Sequence, residues 1–454
     1  MNPYIFRKYD IRGIVESDFT PEVVTDLGRA FGTYVRREGG KTIAISGDVR
    51  PSSPLLINYF SNGLLECGIT VIQLGIIPTP VNYYSMFYLD IDGAVQITGS
   101  HNPSEYNGFK FSYKQGAFYG EKIEILKSLI INQDFDYANG NIEKINILSS
   151  YLNMLKNKIK IKKPLTVAMD CGNAVASLVA PSIFKKLGIN TKEIYCDVDG
   201  TFPNHHPDPT DDSNLIDLIS EVKSASYDFG VAYDGDADRV VAIDELGNII
   251  RSDILMILFL PEIIKNKGDA IVYDVKCSKA LEDMIIKNGG TPIMWKTGHS
   301  FIKDKMKELN VNFAGEMSGH IFFADNFYGF DDAVYVSLRL AQLLSSTNKK
   351  LSELIAEIPI YYSTPELRIE CNSDEEKFDI ASKAKKYFLS KFNCITVDGV
   401  RIQFDDGWGL VRASNTQPVI VCRFEAQSID RMNEIKTLVL NKLNKYGDIL
   451  IDNI

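Results

Sequence analysis

TIAISGDVRPSSPLLINYFSNGLLECGITVIQL, residues 42–74, sets the fold class. Thr42 to Ile45 is apolar and β-branched and predicts a strand. From Leu55 to Cys67 the apolar residues recur with a helical period, and Gly68 ends the run. Thr70 to Leu74 returns to β-branched residues, a second strand. Strand, helix and strand in so short a span form a βαβ unit, which calls for a mainly parallel sheet covered by helices.

The same rhythm extends outward. Ala94 to Ile97 adds a strand to this first cycle. A second cycle starts after the lysine-rich stretch 156–163, with Leu165 to Met169 as strand, Val175 to Leu187 as helix and Asp228 to Tyr233 as strand. A third starts near Ile254, with Ala270 to Tyr273 as strand and Ser278 to Lys287 as helix. From about Thr364 the pattern changes to a strand, a helix over Glu375 to Leu389, two or three strands and a final helix over Asp430 to Leu443. Adjacent strands with no helix between them predict an antiparallel α+β module. Four domains are expected, over 1–148, 149–250, 251–362 and 363–454.

Bulk properties narrow the class. A chain of 454 residues is too long for one core. Hydrophobic content of 45% with 24% charged residues is that of a soluble globular protein. A net charge of -10 argues against nucleic acid or an anionic membrane as partner, while a local pocket can still be cationic. The longest apolar run, Ile254 to Ile264, is broken by Pro261 and Glu262 and is too short to span a bilayer. The opening MNPYIFRKYDIRG lacks the apolar core of a signal peptide. Seven cysteines without a C-x-x-C pair fit the reducing cytoplasm.

Four loops carry chemistry. Asp234-Gly-Asp-Ala-Asp-Arg239 sets three carboxylates in alternation between two strand-like runs. Crowded anions need a cation, and all-oxygen ligation suits Mg²⁺ or Ca²⁺. An EF-hand would place glycine where Arg239 stands and helices where strands are expected, so an open divalent site is preferred. Mg²⁺ keeps positions for water or phosphate oxygens, which points to a phosphorylated partner. Arg412-Ala-Ser-Asn-Thr416 offers a guanidinium fork, two hydroxyls and backbone N–H groups, as a tetrahedral phosphate requires. Gly315-Glu-Met-Ser-Gly-His320 offers a carboxylate, a hydroxyl and an imidazole for sugar hydroxyls. Thr98-Gly-Ser-His-Asn-Pro103 places Ser100 beside His101 after a strand. Lys276 and His299 also follow strand-like runs, and Arg7, Lys8 and Arg12 crowd around Tyr9 and Asp10. Ligands gather beyond the carboxyl ends of strands in α/β domains, so one shared cleft is expected.

Taken along the chain, Thr98–Pro103, Asp234–Arg239, Gly315–His320 and Arg412–Thr416 resemble, respectively, the phosphoserine, metal, sugar-recognition and phosphate-binding loops of the α-D-phosphohexomutase superfamily. Phe6-Arg-Lys-Tyr-Asp-Ile-Arg-Gly13, Asn107-Gly-Phe-Lys110, Phe202-Pro-Asn-His-His-Pro-Asp-Pro209 and Trp295-Lys-Thr-Gly-His-Ser-Phe-Ile-Lys303 extend the match over nearly the whole chain. Glu316-Met-Ser-Gly-His320 and Gly407-Trp-Gly-Leu-Val-Arg-Ala-Ser-Asn-Thr416 are similar to the phosphomannomutase/phosphoglucomutase branch. The phosphoglucosamine mutase branch shows Ser-Gly-Thr-Glu-Pro where this chain has Ser414-Asn-Thr-Gln-Pro418. Three departures stand out: Ala237 and Ala174 replace frequent glycines, and Ser46-Gly-Asp48 lacks an arginine before the aspartate.

The resemblance implies an α/β protein of four domains, three related mixed-sheet α/β domains plus a C-terminal α+β domain around a central active-site cleft. It implies reversible interconversion of hexose 6-phosphate and hexose 1-phosphate, of mannose or glucose, through a phosphoserine at Ser100 and a hexose 1,6-bisphosphate. The Mg²⁺ ligands it implies are Ser100, Asp234, Asp236 and Asp238. His101 would position the phosphoserine, Lys110 or His320 would serve as base, and Arg12 would help electrostatically. Tyr9, Arg12, Lys110, Arg239, Lys276, His299, Glu316, Ser318, His320, Arg412, Ser414, Asn415 and Thr416 are the expected substrate contacts. The partners are small sugar phosphates, and the chain is expected as a monomer or weak homo-oligomer. A phosphoglucosamine mutase and a phosphoserine-dependent sugar phosphatase are the alternatives. A Ser-His-Asp hydrolase is rejected because the chain lacks the Gly-x-Ser-x-Gly elbow and such chemistry leaves the acidic loop unexplained.

Overall fold

A computed structural model describes residues 1–414 and 418–447. The chain forms two compact units, Met1–Leu255 with Ser318–Ile355 and Met256–Met317 with Ala356–Ile454.

In the first unit, the quoted stretch forms the strand Thr42–Gly47, the helix Ser53–Glu66 and the strand Thr70–Ile76. Thr42–Gly47 lies parallel to Thr70–Ile76 on one side and to Gly93–Ile97 on the other. The sheet is nevertheless mixed. Tyr106–Tyr113 runs antiparallel to Gly93–Ile97, and Ile11–Ile14 antiparallel to Tyr106–Tyr113. This turns the Ser100 loop into the connection between two antiparallel neighbours, so Lys110 returns beside the strand that carries the loop. Phe31, Phe60, Phe109, Phe111 and Phe118 pack against one another beneath it.

The second sheet has Phe229–Tyr233 parallel to Thr166–Asp170, which is itself parallel to Asn190–Ile194. Val240–Asp244 pairs antiparallel with Phe229–Tyr233, so the acidic hexapeptide is the tip of a hairpin. The helix expected over Val175 to Leu187 is two pieces, a 3-10 turn Val175–Leu178 and the α-helix Ala180–Lys186. Pro181, lacking an N–H, is tolerated in a first helical turn and not in a helix interior, and it fixes the restart.

In the second unit, Ala270–Asp274 lies parallel to Thr291–Trp295 and to Phe313–Gly315. The C-terminal module is antiparallel as expected. Val419–Ala426 pairs with Gly407–Ala413, which pairs with Val400–Phe404. The helices Asp374–Leu389 and Ile429–Leu443 pack against it, joining Ile380, Phe388, Ile435 and Val439 to a core with Ile402, Val411 and Phe424. Their starts are set by Ser373 and Ser428, whose hydroxyls accept the N–H groups of Glu376 and Arg431. The architecture is thus three α/β domains and an antiparallel C-terminal domain. No helix among the described residues is long and apolar enough to cross a membrane.

Candidate active site

The loop that follows Gly93–Ile97 is held from below by Asp48. Its carboxylate accepts the Thr98 hydroxyl at 2.7 Å, the Gly99 N–H at 3.2 Å and the Ser53 hydroxyl at 2.7 Å. Thr98 Oγ1 in turn accepts the Ser100 N–H at 2.8 Å. Ser100 is thereby fixed at φ +49°, in the left-handed region that side chains rarely adopt. Its hydroxyl donates to Asp234 Oδ2 at 3.1 Å and lies 3.3 Å from His101 Nδ1.

The three aspartates of the hairpin tip are fully buried. Asp234, Asp236 and Asp238 can each turn an oxygen within 4.8 Å of the others'. Asp234 Oδ1 accepts the N–H groups of Asp238 and Arg239 at 3.0 and 3.1 Å, which fixes its outward oxygen toward Ser100. Lys110 Nζ bonds Asp236 Oδ2 at 2.6 Å and Asp238 Oδ2 at 2.7 Å, and Thr79 Oγ1 also donates to Asp236 Oδ2. The other oxygen of each, Oδ1, is buried without a hydrogen-bond partner. Two carboxylate oxygens without hydrogen-bond partners beside Asp234 fit a hard divalent cation, which would repay their desolvation.

The charges agree with this reading. Burial and the neighbouring Asp238 and Asp236 push the Asp234 carboxyl well above the usual range, the repulsion a cation would relieve. Burial works against ionised Asp236, but Lys110 outweighs it and holds that carboxyl low. Burial also opposes the Lys110 charge, and Asp236 and Asp238 overcome it, so the ammonium keeps its proton. Burial, then Arg239 and Arg12, drive His101 well below its ordinary value, so its imidazole is neutral.

His320 completes this cluster. Its Nδ1 lies 2.9 Å from Asp331 Oδ2, and its Nε2 accepts from Arg239 Nε at 3.0 Å. Arg12 reaches the serine loop through Asn102 Oδ1 at 3.3 Å and is held by Asp10 at 2.7 Å. Tyr9, half-buried, stands directly before Asp10. Ser318 precedes Gly319, whose N–H bonds Ser252 and whose carbonyl accepts the Val240 N–H.

The second unit gathers the other expected residues. Lys276 pairs with Glu366 at 3.1 Å. Burial opposes the Lys276 charge, and Glu366 and Asp274 raise it regardless; Lys276, together with its hydrogen bond, draws Glu366 down to about 2. Arg412 pairs with Asp398 at 3.1 Å, and Asp398 accepts the Thr297 N–H at 3.2 Å. Glu316 accepts the N–H of Gly298, beside His299 at the start of the helix His299–Leu309. The Ser414 N–H bonds the Val419 carbonyl at 2.9 Å. Asn415 and Thr416 lie outside the described residues.

Two of the three departures have a backbone explanation. Ala237 sits at φ +63°, where glycine is unstrained, and is locked by its N–H to Asp234 O and its carbonyl to Ala333 N. Ala174 lies at φ -97°, which any residue adopts. Asp48, Thr79, Asp331, Glu366 and Asp398 were not among the expected site residues. Each acts through a partner remote in sequence, and no local pattern marks them.

Comparison with known proteins agrees with this geometry. Models of phosphoglucomutase/phosphomannomutase match in chain order: alpha/beta/alpha domain I over residues 3–136, domain II over 149–247, domain III over 251–362 and the C-terminal domain over 350–442. The chain is 42% identical to a phosphomannomutase/phosphoglucomutase of Pseudomonas aeruginosa over 447 residues, 98% of this chain and 96% of that one. It is 40% identical to a phosphoglucomutase of Neisseria meningitidis serogroup A, covering 97% of each. A crystal structure of a phosphoglucomutase/phosphomannomutase family protein from Burkholderia thailandensis superposes with a TM-score of 0.93 at 38% identity, covering 98% of both chains.

Proposed function

The chain belongs to the phosphoglucomutase/phosphomannomutase family and is an isomerase of hexose phosphates; from that premise we propose that Ser100 carries the phosphoryl group that moves between the two ends of the sugar. Mannose and glucose phosphates are the substrates. The glucosamine and phosphatase alternatives are not favoured, since relatives at 40–42% identity bear the mannose and glucose names.

The observation that carries this reading is the Ser100 hydroxyl bonded to Asp234 beside the orphaned oxygens of Asp236 and Asp238. In the first half-reaction the Ser100 Oγ–P bond breaks as a P–O bond forms to the free hydroxyl of the hexose monophosphate. The resulting hexose 1,6-bisphosphate turns over and returns its other phosphoryl group to Ser100 Oγ. Asp234, Asp236, Asp238 and Ser100 would hold Mg²⁺, which when bound withdraws charge from the phosphoryl group.

Of the two candidate bases, Lys110 is the poorer, because its two carboxylate partners keep it protonated. Lys110 instead supplies fixed positive charge. His320 is the better base: its Nε2 takes the sugar hydroxyl proton once it gives up the bond it accepts from Arg239 Nε at 3.0 Å, and Asp331, 2.9 Å from Nδ1, stabilises the imidazolium that forms. His101 positions the Ser100 hydroxyl, and Arg12 adds charge beside the loop. Arg412, Ser414, Asn415 and Thr416 bind the phosphate that is not reacting. Glu316 and Ser318 bind sugar hydroxyls, with Tyr9, Arg239, Lys276 and His299 as further contacts. We place the protein in the reducing cytoplasm, a reading its free cysteines support.

A coupled assay with Mg²⁺ and catalytic glucose 1,6-bisphosphate tests the substrate assignment. Mannose 1-phosphate and glucose 1-phosphate should both turn over, with glucosamine 1-phosphate poor. Phosphate release without isomerisation would overturn the mutase reading.

A further inference from the structure

A buried cation outside the expected site is Arg50, only 1% exposed, fifty residues before the serine it serves. Its guanidinium donates to four backbone carbonyls of one loop. Nη2 reaches the carbonyls of Ser100 at 2.9 Å and Asn102 at 2.5 Å, and Nη1 those of Pro103 at 2.5 Å and Tyr106 at 3.1 Å. Nε pairs with Asp48 at 3.1 Å, the same carboxylate that holds Thr98 and Gly99 from below. The Phe202 ring covers the guanidinium at 5.1 Å. Gly99 lies against it so closely that a Cβ there would stand 2.6 Å from Arg50 Cζ.

No ligand would need such a group, since the fork is filled by the protein's own carbonyls. What the contacts fix is a backbone. Ser100 sits at φ +49°, a conformation that costs free energy and persists only where the surroundings over-determine it. The Ser100 N–H is held by Thr98 Oγ1 and its carbonyl by Arg50 Nη2, one restraint on each side of the strained residue. We propose that Arg50 is a positioning residue for phosphoryl transfer: its planar fork holds the Ser100 loop in the backbone conformation that directs Ser100 Oγ at Asp234. The kinetic part of this inference rests on the mutase reading above; the structural part does not.

Arg50→Lys keeps a cation and loses the fork, so it separates charge from geometry. In the folded variant, amide hydrogen exchange over residues 98–106 speeds up while exchange in the Asp234–Arg239 hairpin stays as in the wild type. kcat falls on the order of 100-fold, the effect of a small misplacement of reacting groups, with KM for glucose 1-phosphate nearly unchanged. Phosphorylation of Ser100 by glucose 1,6-bisphosphate, followed by intact mass, slows by the same factor as kcat. If Arg50→Lys does not fold, Phe202→Leu, which strips the ring from the guanidinium, shows the same pattern at smaller amplitude. Unchanged exchange in the 98–106 segment of a folded variant overturns the proposal whatever the turnover. An inactive wild type with a loosened variant loop would instead overturn the mutase reading and leave the positioning of Ser100 by Arg50 upheld.

Discussion

Lys110 Nζ stands 2.6 Å from Asp236 Oδ2, and the opposite oxygen of that carboxylate has no hydrogen-bond partner. One side of Asp236 is thus clamped by a fixed cation and the other left for a second one. Replacing Lys110 by Met removes the near charge but keeps much of the side-chain volume. Turnover should fall on the order of 100-fold through lost electrostatic stabilisation. Mg²⁺ should bind more tightly, because the triad loses its internal counter-ion. Isothermal titration calorimetry of the variant checks this, and weaker binding would contradict the clamp.

Gly235 meets Ser100 where the hairpin tip crosses the serine loop. A Cβ at Gly235 would overlap the Ser100 carbonyl oxygen that Arg50 also grips. Gly235→Ala should cost about 1–3 kcal/mol of stability through overpacking and slow Ser100 phosphorylation. Urea denaturation and intact mass after incubation with bisphosphate measure the two effects.

Asp332 gives the protein a pH signature outside the reaction centre. It caps the helix Ala333–Ser345 and accepts the Tyr151 hydroxyl at 2.6 Å, and burial pushes its carboxyl up to about 7. A carboxyl raised in the folded state keeps its proton while the unfolded chain, near 3.9, has lost it. Its contribution to stability is therefore present below about pH 4 and is lost as pH rises to about 7. Asp332→Asn keeps the acceptor without the proton equilibrium. Between pH 5 and 8 the wild type should lose about 2–3 kcal/mol relative to this variant. Parallel denaturant curves at the two pH values would expose a flat difference if Asp332 does not titrate there.

Arg412 offers its fork next to Asp398, which also receives the Thr297 N–H. If it grips the non-reacting phosphate, Arg412→Ala should raise KM for glucose 1-phosphate about tenfold or more, the loss of a charge-assisted contact. Inorganic phosphate should also inhibit the variant less. An unchanged KM with lower kcat would assign Arg412 elsewhere.

The loops were legible in the sequence because their chemistry is local. Three alternating carboxylates between Tyr233 and Val240 announce a cation, and Ser100 beside His101 after a strand announces a reactive turn. The parallel strands were legible for the same reason, through periodicity over a few residues. Tyr106–Tyr113 was not expected as a strand, because Tyr106-Asn-Gly-Phe-Lys110 mixes turn formers with apolar residues and its pairing with Ile11–Ile14 is set by tertiary packing. Arg50 and Asp331 were invisible as site residues. An arginine reading backbone carbonyls fifty positions away and an aspartate backing a histidine eleven positions away leave no periodic trace.

The central claim is that Ser100 carries the phosphoryl group in transit. Incubate the protein with Mg²⁺ and excess glucose 1,6-bisphosphate, quench, and locate the modification by peptide mass spectrometry. A single phosphoryl group on Ser100, removed on a later chase with glucose 6-phosphate and absent in Ser100→Ala, is the predicted result. Isomerisation that proceeds at the wild-type rate in Ser100→Ala, with no phosphoryl group on the wild-type serine, would contradict it.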